Sequence, residues 1–186
     1  MGKGKEMKTK VLIRLGLFLT IIYSPLIIFA QWENGLPEHI NNYLDKSDLL
    51  QNEMKGIINE TDNKLYEAQI KNDHESVKNI LIEADSKFAN AIERLKALNA
   101  PSEMEGYHRK IIEYCEYIRK INEAVLHEDM EAKLKYNRLS QNAILEIYQE
   151  LRKTNLENNA PKEAIVAIDR IIDQIKLRNT GILYKK

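Results

Sequence analysis

The stretch "YHRKIIEYCEYIRKINEAV", residues 107–125, decides the fold. Tyr107, Ile111, Tyr114, Ile118, Ile121 and Val125 follow one another at steps of 4, 3, 4, 3 and 4 residues. Steps of three and four place side chains on one face of an α-helix, and the intervening Glu, Lys and Arg fall on the other faces. The spacing therefore predicts an amphipathic helix with a seam of the coiled-coil kind.

The same period extends outward in both directions. Val77, Leu81, Ala84, Phe88, Ala91, Leu95 and Leu98 give a second stripe. Ile40, Tyr43, Leu50, Met54, Ile57, Leu65 and Ala68 give a third, interrupted at Ser47 and Thr61. Residues 134–151 and 164–175 supply two more, the last on Ile165, Ile168, Ile172 and Ile175. Nothing alternates as a strand would. The expected class is all-α: an antiparallel bundle of about five amphipathic helices, with two long helical hairpins near 37–98 and 101–155 and a C-terminal helix near 162–178.

The boundaries carry their own chemistry. Pro37, Pro101 and Pro161 fall in the first turn of a stripe, where a missing N–H costs nothing. Glu38, Glu103 and Glu163 follow them, placing negative charge at the positive end of the helix dipole. Asp73 and Asp129 are expected N-caps for the other two helices. Ala68 and Ala124 each precede one of those aspartates by five residues, a faint sign of hairpin duplication, although no period of a known repeat appears.

The first thirty residues read differently. "MGKGKEMKTKVLIR" (1–14) carries five basic residues against Glu6 alone, and the sixteen residues "LGLFLTIIYSPLIIFA" (15–30) carry no charge. This is the pattern of a secretory signal peptide with cleavage after Ala30, starting at Met1 or Met7. The alternative is an uncleaved anchor over residues 11–30, which falls short of the roughly 20 apolar residues a spanning helix needs. Either way residues 31–186 are expected as one helical domain outside the cytoplasm, periplasmic or secreted, touching a membrane only through the N-terminal segment if that is retained.

Without the leader, 23 basic residues face 27 acidic ones, and no basic stripe points to nucleic acid. The single cysteine, Cys115, excludes an internal disulfide and, in mid-helix, reads as a small core residue. No Gly-x-Ser-x-Gly elbow, phosphate-binding glycine loop, haem-attachment motif or calcium loop is present, so neither catalysis nor a cofactor is expected. Tyr107, Tyr114, Tyr117, Tyr136 and Tyr148 are read as seam-edge residues whose hydroxyls reach water, or else as the lining of a ligand cleft. Trp32 and the tail "GILYKK" are the exposed apolar candidates.

Two arrangements are candidates for metal. Glu105 and His108 form the Glu-x-x-His spacing of di-iron bundles, but those use two such pairs and this chain has one. In an up-down bundle the turns at 72–74 and 127–129 share an end, which gathers His74 and His127 with Asp73, Glu75, Glu128 and Asp129. The ordinary reading of both is helix starts and solvated caps. The expected function is thus binding without catalysis, to a protein partner, a second copy, or a small ligand in an interhelical groove. A metal-binding bundle is the alternative.

Overall fold

The computed structural model describes residues 36–179, which form five helices with no strand among them. They are α1 (Glu38–Ile70), α2 (His74–Lys96), α3 (Glu105–Leu126), α4 (Met130–Glu157) and α5 (Lys162–Asn179), with a 3₁₀ turn at Ser102–Met104 ahead of α3. The all-α bundle of two hairpins and a C-terminal helix is the observed architecture. The signal segment, Trp32 and the tail "GILYKK" lie outside the described residues.

Inter-helix contacts fix the directions. Glu53 meets Arg94, Glu60 meets Lys87 and Lys64 meets Glu83, so α2 runs back along α1. Lys110 meets Glu146 while Tyr117 stacks on Tyr136, so α4 runs back along α3. His39 reaches Glu103 and Tyr43 reaches His108, which makes α1 and α3 parallel. Close backbone approach is concentrated between successive helices, α1 on α2, α2 on α3, α3 on α4 and α4 on α5, with the 3₁₀ turn also close to α4. The fourth side of the bundle, between α1 and α4, is closed mainly by side chains.

One continuous core joins all five helices, from Ile40 and Met54 through Phe88, Ile111 and Ile121 to Ile147 and Ile168. Full burial of one such side chain is worth about 1.5–3 kcal/mol. The seam at 107–125 is buried at Tyr107, Ile111, Tyr114, Ile118 and Ile121, and only partly at Val125. Val77, Leu65, Leu98, Ile165 and Ile175 are likewise only partly buried, and Leu134 is exposed. Ser47 and Thr61 do not interrupt α1. Ser47 occupies a buried seam position, and the Thr61 hydroxyl donates back to Ile57 O at 2.7 Å within the helix.

The helix ends follow local rules. Asp73 Oδ1 accepts from the Ser76 N–H at 3.0 Å and Asp129 Oδ1 from the Ala132 N–H at 2.9 Å, as N-caps do. Pro37 and Pro161 stand just before the first helical residue, and their carbonyls accept the first helical N–H groups. Pro101 instead opens the 3₁₀ turn, so that the first turn of α3 belongs to Glu105 and not to Glu103.

The Ala-to-Asp spacing also finds its cause. Asp73 N–H donates to Ala68 O at 2.9 Å and Asp129 N–H to Ala124 O at 2.8 Å, the long bond of a Schellman motif. Ala160 N–H repeats it on Asn155 O at 2.9 Å. Each motif needs one left-handed residue, and here these are Asn72 (φ 53), Glu128 (φ 55) and Asn159 (φ 53), none of them glycine.

Candidate functional site

The α1–α4 side carries the features that packing alone does not explain. On α1, Ser47, Asp48, Gln51, Met54 and Ile58 follow at one-turn intervals toward this side. On α3 the facing run is Tyr107, His108, Ile111, Tyr114 and Ile118, and on α4 it is Ile144, Ile147 and Tyr148.

Between these helices lies a narrow apolar crevice of about 50 Å³, lined by Met54, Ile58, Phe88, Ile118, Ile144 and Ile147, with Gln51 and Tyr148 at one end. One helical turn beyond that end sits a polar cluster. The Tyr43 hydroxyl and His108 Nδ1 share a hydrogen bond at 2.9 Å, with the two rings edge to face. Gln51 Nε2 donates to Ser47 Oγ at 3.1 Å. The Tyr107 hydroxyl, on a residue 1% exposed, has the Gln51 side chain as its hydrogen-bonding neighbour, with Asp48, Tyr43 and Tyr148 close by. Asp48 is 7% exposed, and its Oδ1 lacks a partner.

Burial governs the ionisation of this cluster. Loss of water pushes the Asp48 carboxyl up to about 6, and the neighbouring Asp45 charge adds to the shift. Burial raises the Tyr107 and Tyr43 hydroxyls well above the ordinary phenol range. The same cause lowers His108, which favours the neutral imidazole that accepts or donates to Tyr43. Leaving a buried polar atom without a partner costs about 1–3 kcal/mol. The unpartnered Asp48 oxygen therefore costs stability that this packing does not recover.

The candidate residues from the sequence fall as follows. Glu105 is exposed on α3, and His108 turns to Tyr43. Gly106, between them, leaves the space that the Glu150 carboxylate occupies against the first turn of α3; a Cβ there would collide with it. His74 and His127 are both exposed, one opening α2 and the other capping α3, at the end of the bundle that their two turns share. Among the described residues no group of three or more His, Cys, Asp and Glu side chains is placed to hold a metal ion. Cys115 is buried, and burial pushes its thiol up to about 12, so it carries no thiolate near neutral pH.

The tyrosines correct the sequence reading. Tyr107, Tyr114 and Tyr148 do not sit at a seam edge; they lie in the core, at 1%, 8% and 2% exposure. Tyr117 and Tyr136 alone of the five sit at an edge, stacked with centroids 6.4 Å apart and Lys120 over the Tyr136 ring. Sequence reasoning missed Asp48, Tyr43 and Gln51. Asp48 lies one residue after a seam position, where a charge is ordinarily solvated.

A second, wider groove of about 760 Å³ runs between α4 and α5. Its walls are charged, and the Arg152–Asp169 ion pair crosses it. No described helix is long and apolar enough to cross a membrane. Compared with models of known protein families, with characterised proteins and with solved structures, the chain matches none.

Proposed function

We propose that this chain works by binding, outside the cytoplasm, and that its binding element is the seam between α1 and α4. The ligand is a small, slender, largely apolar molecule taken into the interhelical crevice. One observation carries the reading. The crevice lies on the side of the described core where backbone packing is sparsest, and Gln51 and Tyr148 stand at its polar end. Apolar walls with a few convergent polar groups are the general character of ligand sites. The basic and apolar opening of the sequence supports the location.

The crevice as it stands has room for on the order of two water volumes. A ligand therefore parts the seam as it enters, and the α1–α2 hairpin, held to α4 mainly through side chains, is the element that yields. The test is titration of the purified chain with decanol below its aggregation limit, followed by calorimetry. Saturable binding is expected, and Ile144→Trp, which fills the mouth of the crevice from a half-buried position, should abolish it while leaving the helical circular dichroism intact. Equal binding by wild type and Ile144→Trp would refute the assignment.

A further inference from the structure

The outward face of α5 carries a pattern that its own packing does not use. We propose that this face is a docking surface for a second copy of the chain, the two α5 helices lying antiparallel about a two-fold axis. Val166 then meets the partner's Leu177, and Arg170 meets the partner's Asp173.

α5 turns Ala164, Ile168 and Ile172 into the core. On the opposite face Val166, Arg170, Asp173 and Leu177 are all exposed, and they follow one another at steps of 4, 3 and 4 residues. At 3.6 residues per turn the four fall within an arc of about 60°, a straight stripe along the helix. Val166 is 38% exposed and Leu177 46%. Single exposed apolar residues are ordinary. The order is not: apolar, basic, acidic, apolar becomes its own complement when it is reversed. In an antiparallel pair that crosses between Arg170 and Asp173, each charge meets its opposite and each apolar side chain meets another. Every contact is made twice, as a two-fold interface requires. Parallel pairing would set arginine on arginine and aspartate on aspartate, which is repulsive.

The two charges are available for this. Asp169, on the neighbouring face, is held by Arg152 of α4. Among the described residues neither Arg170 nor Asp173 takes part in an ion pair, whereas Lys64, Lys87, Lys96 and Lys110 on the other helices all do. Within α5 the two stand three residues apart with the base first, the less favourable order for pairing along one helix. A nucleic acid or an anionic membrane would be repelled by Asp173, and a cationic surface by Arg170. A surface that satisfies both must carry both signs in reverse order, and a second copy does so by construction. The helix has 18 residues and is about 27 Å long. One helix from each copy makes an interface at the low end of the specific range, below about 1,200 Å². The dimer is therefore a reversible, concentration-dependent one.

The experiment is sedimentation velocity on the purified chain over a rising series of concentrations, with circular dichroism as the check on folding. Wild type should pass from monomer to dimer. Arg170→Asp and Asp173→Arg, both at exposed positions, should keep their helical spectra and each weaken self-association at least about tenfold, since each sets like charges together twice. An equimolar mixture of the two variants should dimerise as wild type does, because the acidic pair on one molecule then faces the basic pair on the other. A chain carrying both substitutions should also self-associate as wild type does. Wild type that stays monomeric throughout would overturn the proposal. So would a dimer indifferent to both single reversals, as exchange of whole helices between copies would give, or single variants that neither mixing nor combination restores.

Discussion

Replacing Asp48 by asparagine isolates the cost of keeping a carboxylate in the seam. The folded protein holds this carboxyl at about 6, against an ordinary value near 3.9 in the unfolded chain. A folded-state value above the unfolded one means that the native state binds the proton more tightly. The native state is therefore unpenalised below about pH 4. It loses stability as pH rises from about 4 to about 6, and the penalty is constant above that. Two units at about 1.4 kcal/mol each set a ceiling of about 3 kcal/mol, and residual solvent contact brings the expectation to about 1–3 kcal/mol. Asparagine has nearly the same shape and no charge to bury. Asp48→Asn should thus match wild type at pH 4 and exceed it by about 1–3 kcal/mol at pH 7.5. That corresponds to a few degrees in thermal midpoint for a domain of this size. Urea midpoints at pH 4, 5, 6 and 7.5 measure it, because the carboxylates other than the neighbouring Asp45 titrate alike in both proteins and cancel in the difference. Parallel curves across that range would refute a buried, uncompensated carboxylate at this position.

Other perturbations probe the rest of the molecule. Ile121→Ala, at a position 1% exposed, should cost about 2–5 kcal/mol in chemical denaturation. Glu128→Gly should stabilise by about 0.5–1 kcal/mol, since glycine takes φ 55 without strain, while Asn72→Gly and Asn159→Gly should gain less because asparagine tolerates that conformation. Asp73→Ala and Asp129→Ala should each lose about 1 kcal/mol with their caps, read from thermal midpoints. Zinc added to wild type, Glu105→Gln and His108→Ala should leave all three midpoints where they were; a rise in wild type that both substitutions erase would put the metal site back at these two residues.

The periodicity of residues 107–125 and its neighbours carried the fold, because burial of one face per helix is written directly in the spacing of apolar side chains. The caps at Asp73 and Asp129 were equally legible, since they act within three residues of themselves. The Schellman turns were legible only as an unexplained Ala-to-Asp spacing, because Asn72, Glu128 and Asn159 stand where glycine would have signalled the left-handed residue. The seam was not legible. Whether Asp48 meets water or is buried beside Tyr107 depends on how α1 packs against α3, an approach that no local pattern encodes. Likewise Lys133, fully charged in appearance, is buried at the start of α4, with its ammonium pushed down by loss of water. The Glu105–His108 spacing carried a motif, yet His108 is engaged by Tyr43 from another helix, which only the tertiary structure reveals.

The position of α5 has a consequence for how the molecule comes apart. This helix packs chiefly on α4, reaching the core through Ala164, Ile168 and Ile172, and it is joined to α4 by the short turn around Asn159. Its release sacrifices three buried side chains and leaves the other four helices with their mutual contacts. Native-state hydrogen exchange should then register α5 as a separate unit, opening at a free energy below that of global unfolding. In the opened form the strip it covered on α4 is bare, and the α5 of a neighbouring molecule has the same shape as the one that left. Concentrated protein held under mildly destabilising conditions is thereby disposed to exchange this helix between copies, a domain-swapped dimer built without any new interface.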